Sequence, residues 1–400
     1  MNHRERTLRH CEPQGELPFS RREYRARLER IRQAMAAARI DVLWLTAPES
    51  MCYVSGFQAE YYEANGPKDW AAASGIALHV DSDRLVAFDT GEEELIYRYG
   101  SVVDDVRLFP GRREAPAFFC AELAAQGWLK PGSVVGLELH SYRPVPAMSM
   151  LFRQGIENAG ATVVDGSMIL REVRWVKSPA EIACIERAGI IADIGLRRVG
   201  EVLRPGITEL EVYGEMPGIV QPVLSGPKAN TAHALASRKR ILEGEHVNVD
   251  VSGVHNRYHA NMARAWRLGE PPRHVMAYFE KIAGVFDAVR PHLRANMPVR
   301  ELNGLARAYY EDAGIWRDGQ WLGGYEMGIA FPPDWVGNYV YEFGDDGTED
   351  VFVPGTAVNF ESVFYLPDMA GIGPSLDTLV FTEEGGRFLS REPYGLTVVD

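Results

Sequence analysis

A mixed α/β chain in two domains is what the sequence predicts, on three observations. Its 400 residues exceed what one ordinary hydrophobic core holds. Strand-like and helix-like patterns alternate through the first 168 residues, the order expected of an α/β domain. Behind them, an alternating apolar run, HVNVD, continues into a Ser252-Gly253 turn signal and a polar return strand, the mark of a β-hairpin.

Taken in order, residues 1–19 form a charged N-terminal arm without the apolar segment of a signal peptide. Residues 20–40 set Tyr24, Leu28, Ile31 and Met35 at helical spacing behind Ser20, a candidate N-cap, with an arginine-rich solvated face. DVLWLTA (41–47) is a buried strand and SMCYVSGF (50–57) a strand or turn. Residues 75–80, 84–90 and 102–109 are further strands, 115–126 a helix, 133–139 a strand and 145–159 a helix. The loop from Gln58 to Trp70 is too polar for a core, yet gathers Tyr61, Tyr62 and Trp70, aromatics that could wall a ligand or face a cation.

The second domain is expected over 169–400. Ser178 caps a helix with Pro179 at its first position and Glu181 three residues on, and the helix runs to about Val202. Thr208 and Glu211 repeat that signature. Helices are expected over 274–291 and 299–313, then a glycine-rich aromatic stretch (321–335), a strand carrying Glu361 and a last hairpin.

A net charge of −13 argues against a general nucleic-acid binder, which needs basic surface to neutralise phosphates. No run of 18 apolar residues offers a membrane span. Cys11, Cys52, Cys120 and Cys184 are scattered, with no CxxC pair for zinc or redox work, and are expected as reduced thiols of a cytoplasmic protein.

The hairpin carries the chemistry. Val247 and Val249 face one side, Asn248 and Asp250 the other. The return strand brings His259 and Asn261, which share a face, back towards Asp250, with His233 upstream.

In that order, the motifs resemble those of the creatinase and aminopeptidase P/prolidase family over about 380 residues. Arg174-x-x-Lys177-Ser178-x-x-Glu181-Ile182 is similar to the opening of that family's catalytic domain. His233 stands 17 residues (250 − 233) before Asp250, as the family's histidine precedes its first metal aspartate. Gly244-Glu245 to Asp250, Arg257 to Arg264, Gly324 to Gly328, Asn359 to Ser362 and Leu376 to Thr378 follow as the remaining motifs. The resemblance implies a creatinase-type α/β N-terminal domain and a pita-bread catalytic domain. It also implies a homodimer in which one subunit's N-terminal domain, with Tyr61, Tyr62 and Trp70, lies near the other's site.

The departures narrow the chemistry. Metal-dependent members hold two divalent ions with two aspartates, a histidine and two glutamates. Here Asp250 and Glu361 remain, but Asn261, Tyr325 and Leu376 stand where an aspartate, the histidine and a glutamate would be. Two carboxylates and an amide offset the charge of two divalent ions poorly. Asp377 could serve only if a bulge turned it inward. Ala263 holds the place of a creatinase glutamate, which weighs against creatinase activity itself.

Losing the metal ligands while keeping His233 and a carboxylate resembles the creatinase branch, and the chain is closest in look to creatinase- and ectoine-hydrolase-like members. That resemblance implies a hydrolase needing neither metal nor other cofactor. It would cut a non-peptide C–N bond in a small zwitterionic or cationic solute. His233 would be the general base, with Glu361 and Asp250 orienting it or protonating the leaving nitrogen. Tyr325, Asn261 and His259 would hold the substrate. Two alternatives stay open: a metal-dependent Xaa-Pro-type peptidase or lyase, and a non-catalytic small-molecule-binding homologue.

Overall fold

A computed structural model describes residues 3–399, apart from 60–73, 91–92, 112–113, 232, 318–319, 333–334, 338, 343, 345–349 and 367–371. The chain divides into two compact units, Met1–Arg174 and Trp175–Asp400. The division falls after the expected 168, because the helix Ser167–Trp175 buries Ile169, Leu170 and Val173 and belongs with the first unit to Arg174.

The first unit is a six-stranded mixed sheet. Its order is Asp105–Leu108, Leu85–Asp89, Gly75–His79, Val42–Leu45, Val134–Leu137 and Thr162–Asp165. Trp44, Phe88, Phe119 and Phe152 meet in its core, with Phe119 from the helix Ala115–Ala125 and Phe152 from Pro146–Asn158. The helix Arg21–Ala38 starts at Ser20, whose hydroxyl accepts from the Glu23 N–H, and buries Tyr24, Leu28, Ile31 and Met35. One expectation fails: 50–57 is no strand, because Pro48–Ser55 is a helix with proline in its first turn and Gly56 as its left-handed cap. Nearly every residue of it is buried, Ser50 and Ser55 included, so a short helix buried on almost all sides mimicked a buried strand. The expected strand at 102–109 is shorter, Asp105–Leu108.

The second unit is a nine-stranded sheet, the pita-bread arrangement. Its main order is Val340–Glu342, Trp321–Tyr325, Ala357–Tyr365, Ile372–Thr382, Tyr258–Leu268, His246–His255 and Ile219–Ser225. Strand alternation sorts its residues between two faces. Phe360, Phe364, Leu379 and Phe381 form one core with Phe279, Phe286 and Leu302 of the helices Arg273–Ala283, Val285–Val289 and Val299–Asp312. The helix expected over 274–291 is broken at Gly284. The helix Pro179–Val202 begins with the anticipated capping box between Ser178 and Glu181, and Glu181 also accepts from the Tyr258 hydroxyl at 2.8 Å. It crosses so close to the hairpin that a Cβ on Gly253 would lie 1.9 Å from the Ala188 carbonyl oxygen, so glycine is required there.

Candidate active site

The opposite face of that sheet carries the polar groups. Register pairs Asp250 with Ala263, Ala263 with Leu376, Leu376 with Glu361 and Glu361 with Gly323. One row thus crosses five strands, with two carboxyl groups flanking an apolar pair. Asp250, Ala263, Leu376 and Glu361 line one cleft with Asn248 and Thr231, and its empty space, open mouth included, is about 440 Å³.

The hairpin keeps the alternation seen in the sequence, with Ser252 facing Asn261 and Asp250 facing Ala263. Its turn falls at Asn256-Arg257, where both residues have positive φ, and not at the expected Ser252-Gly253, which stays paired within the strand. Asn261 has its amide nitrogen 2.5 Å from Asp250 Oδ1 and 3.2 Å from Ser252 Oγ. Its orientation follows from its neighbours. The Trp335 indole N–H, which can only donate, meets the Tyr325 hydroxyl at 3.1 Å, and that hydroxyl donates to Asn261 Oδ1 at 2.8 Å. The amide oxygen is thereby occupied and the N–H₂ end faces Asp250. Backbone bonds hold Asn261 as well, since its N–H donates to Thr378 Oγ1 and its carbonyl accepts from the same hydroxyl. Tyr325 is delivered by Gly323 and Gly324. A Cβ on Gly324 would lie 2.0 Å from the Asn359 carbonyl oxygen, so only glycine lets the strands approach.

Glu361 accepts from the Asn359 amide at 3.1 Å, while Asn359 Oδ1 takes the Tyr325 N–H at 2.6 Å. Both acids keep partial access to the cleft, yet surrounding atoms strip most of their hydration. Burial pushes Asp250 up to about 7 against the pull of the Asn261 amide. Burial first, and the charge of Asp250 second, push Glu361 up to about 8. Each acid therefore holds a proton into the neutral range.

His259 is fully buried on the Asn261 side of its strand. Its Nδ1 lies 2.9 Å from the Arg257 carbonyl, and burial lowers its pKa to about 4, so the ring is neutral. His233 is exposed on the loop after Gly226–Asn230 and is not among the cleft-lining residues; Thr231, two residues before it, is. The structure thus gathers Asp250, Asn261, Tyr325 and Glu361 but leaves His233 outside their hydrogen-bond network. Tyr61, Tyr62 and Trp70 lie outside the described residues.

Asp377 is not turned inward. Leu376 stands opposite Glu361, and Asp377 accepts instead from Tyr394 Oη at 2.6 Å and from the Thr378 N–H at 2.7 Å, with Arg264 at 4.0 Å. Among the described residues, no group of three or more His, Cys, Asp or Glu could hold a metal ion. Sequence reasoning missed Asn359 and Trp335 as supports of the site. The period-two alternation around Glu361 could have found the first; nothing local marked the second.

The creatinase/prolidase N-terminal domain description matches residues 27–176, and metallopeptidase family M24 matches 183–384. An uncharacterized hydrolase/peptidase of Sinorhizobium fredii is 27% identical over 407 residues, covering 96% of this chain and 99% of its own. The ectoine hydrolase of Halomonas elongata is 27% identical over 419 residues, with the same shares covered. A probable dipeptidase of Mycobacterium tuberculosis is 25% identical over 401 residues, again with the same shares. Among solved structures, the Xaa-Pro dipeptidase from Bacillus anthracis superposes with a TM-score of 0.78 at 20% identity, over 94% of this chain and 100% of its own. At that identity the likeness shows the fold alone.

Proposed function

The chain belongs to metallopeptidase family M24, and from that premise we propose that it hydrolyses a non-peptide C–N bond in a small zwitterionic or cationic molecule without a divalent-metal pair. The observation that carries the proposal is the Asn261 amide facing Asp250. The residues at the family's five ligand positions do not fit two divalent ions. One is an aliphatic side chain (Leu376), one a phenol already donating to Asn261, and one an amide whose N–H₂ end meets the aspartate. Asp250 and Glu361 alone would have to neutralise four positive charges.

The two carboxyl groups supply acid and base instead. Asp250, with the lower pKa, takes the proton of an attacking water; Glu361, with the higher, delivers a proton to the leaving nitrogen. The chain Trp335 to Tyr325 to Asn261 keeps Asp250 in place and leaves its second oxygen for water. Before reaction, a cationic group over Ala263 and Leu376 would lie between two acids and against apolar walls, where its charge is little screened. The sequence-derived role of His233 becomes, in this reading, a contact at the rim from its exposed loop.

The named activity of the Halomonas elongata relative makes ectoine the first substrate to assay. The test is turnover of a panel holding ectoine, small amides and ureas, and Xaa-Pro dipeptides. Hydrolysis of a non-peptide member is the expected result. Turnover of dipeptides alone would support the peptidase reading that the dipeptidase relatives favour. Absence of any turnover would leave a binding homologue. The expected homodimer stays part of the proposal and is checked by light scattering on the purified chain.

A further inference from the structure

Two residues before Asp250, on the same face of the strand His246–His255, stands Asn248. It is 7% exposed and lines the cleft with Asp250 and Glu361. Its amide nitrogen donates to the Ile372 carbonyl at 2.8 Å, and the Ala229 carbonyl lies 3.4 Å from the same nitrogen. Carbonyl oxygens only accept, so these two identify the nitrogen end of the amide. The other end, Oδ1, is buried and has no hydrogen-bond partner among the described residues. A buried acceptor without a donor is rare in native proteins and calls for a water or a ligand. The described lining of the cleft includes no lysine or arginine that could turn towards it.

We propose that Asn248 is a specificity contact, whose Oδ1 accepts a hydrogen bond from one N–H of the bound molecule while a second N–H meets Asp250. Residues two apart on a strand are separated by about 6.8 Å. An amidine or a urea, with two N–H groups on one carbon, spans that interval through two hydrogen bonds. A molecule of the same charge without N–H groups leaves Oδ1 unpaired and binds more weakly, because a site built around a buried polar group rejects the ligand that cannot satisfy it. The inference rests on reading this cleft as the binding site. It adds that the substrate is chosen by the number and placement of its N–H groups, and not by charge alone.

The test is calorimetric titration of the full chain, wild type and Asn248→Leu, with three probes: ectoine, acetamidinium as a minimal donor of two N–H groups, and tetramethylammonium as a cation with none. The expected result is that ectoine and acetamidinium bind the wild type and lose at least tenfold in affinity in Asn248→Leu. Tetramethylammonium should bind the wild type at least tenfold more weakly than acetamidinium and be indifferent to the substitution. Equal affinity of acetamidinium for the two proteins, within twofold, overturns the role of Asn248 and leaves the cleft reading standing. No binding of ectoine or acetamidinium to the wild type overturns both. Should Asn248→Leu not fold, a crystal structure of the wild type with acetamidinium decides. A nitrogen within hydrogen-bond distance of Asn248 Oδ1 is expected, and a probe seated elsewhere in the cleft overturns the proposal.

Discussion

Asn261 presents its amide N–H₂ to Asp250 at 2.5 Å, at a position where the family's metal-dependent members carry an aspartate. Exchanging it, Asn261→Asp, would replace a donor by a third anion beside two acids already short of solvation. A loss of about 3 kcal/mol in urea unfolding at pH 8 is expected, by analogy with leaving a buried charge unpaired. The loss should shrink at pH 5, where the neighbouring acids are protonated. An unchanged midpoint with stoichiometric uptake of a divalent ion would mean that the cleft is a metal site after all.

The raised acids make stability depend on pH in a defined direction. Ordinary values of 3.8 and 4.5 rise to about 7 for Asp250 and about 8 for Glu361 in the fold. The folded state therefore holds protons that the unfolded chain releases, and stability present below about pH 4 is lost as pH rises towards 8. Glu361→Gln removes one of these acids, so its unfolding free energy should fall less between pH 5 and pH 8 than that of the wild type, by on the order of a few kcal/mol. The same variant should lose activity about 100-fold or more and, with it, the alkaline limb of the pH profile. A variant whose stability tracks the wild type across that range would show that Glu361 is not held protonated.

Tyr325→Phe cuts the chain from Trp335 to Asn261 while keeping the ring. It leaves Asn261 Oδ1 without its donor, so a cost of about 1–3 kcal/mol is expected in chemical unfolding. Turnover should fall through loss of Asp250 positioning. Full activity in this variant would remove the relay from the mechanism.

His233→Ala separates the two views of the base. An exposed loop residue contributes little to stability, so the midpoint should stay within about 0.5 kcal/mol of wild type. With the carboxyl pair as acid and base, KM should rise while kcat changes by less than about tenfold. A loss of kcat of about 100-fold or more would restore His233 as the general base.

Much of this geometry is legible in the sequence. Period-two alternation put Asn248 and Asp250 on one face of their strand and His259 with Asn261 on one face of the return strand, and the hairpin register agrees. The Ser178–Glu181 cap was equally local, since both partners lie within one turn. Tertiary effects were not readable. The buried helix Pro48–Ser55 lacks a polar face that would betray its period. The pairing of Leu376 with Glu361, which leaves Asp377 on the far face, joins strands by register and not by sequence distance. Trp335 reaches Tyr325 through a loop, without a periodic pattern. The exposure of His233 likewise depends on how its loop leaves the strand Ile219–Ser225, which spacing to Asp250 does not encode.

The most direct test is elemental analysis of the purified chain alongside its turnover of the panel substrate before and after exhaustive chelation. Metal-independent hydrolysis by the Asp250–Glu361 pair predicts less than about 0.1 divalent ion per chain and unchanged turnover after chelation. Activity that disappears with the chelator and returns with added manganese or zinc would contradict it.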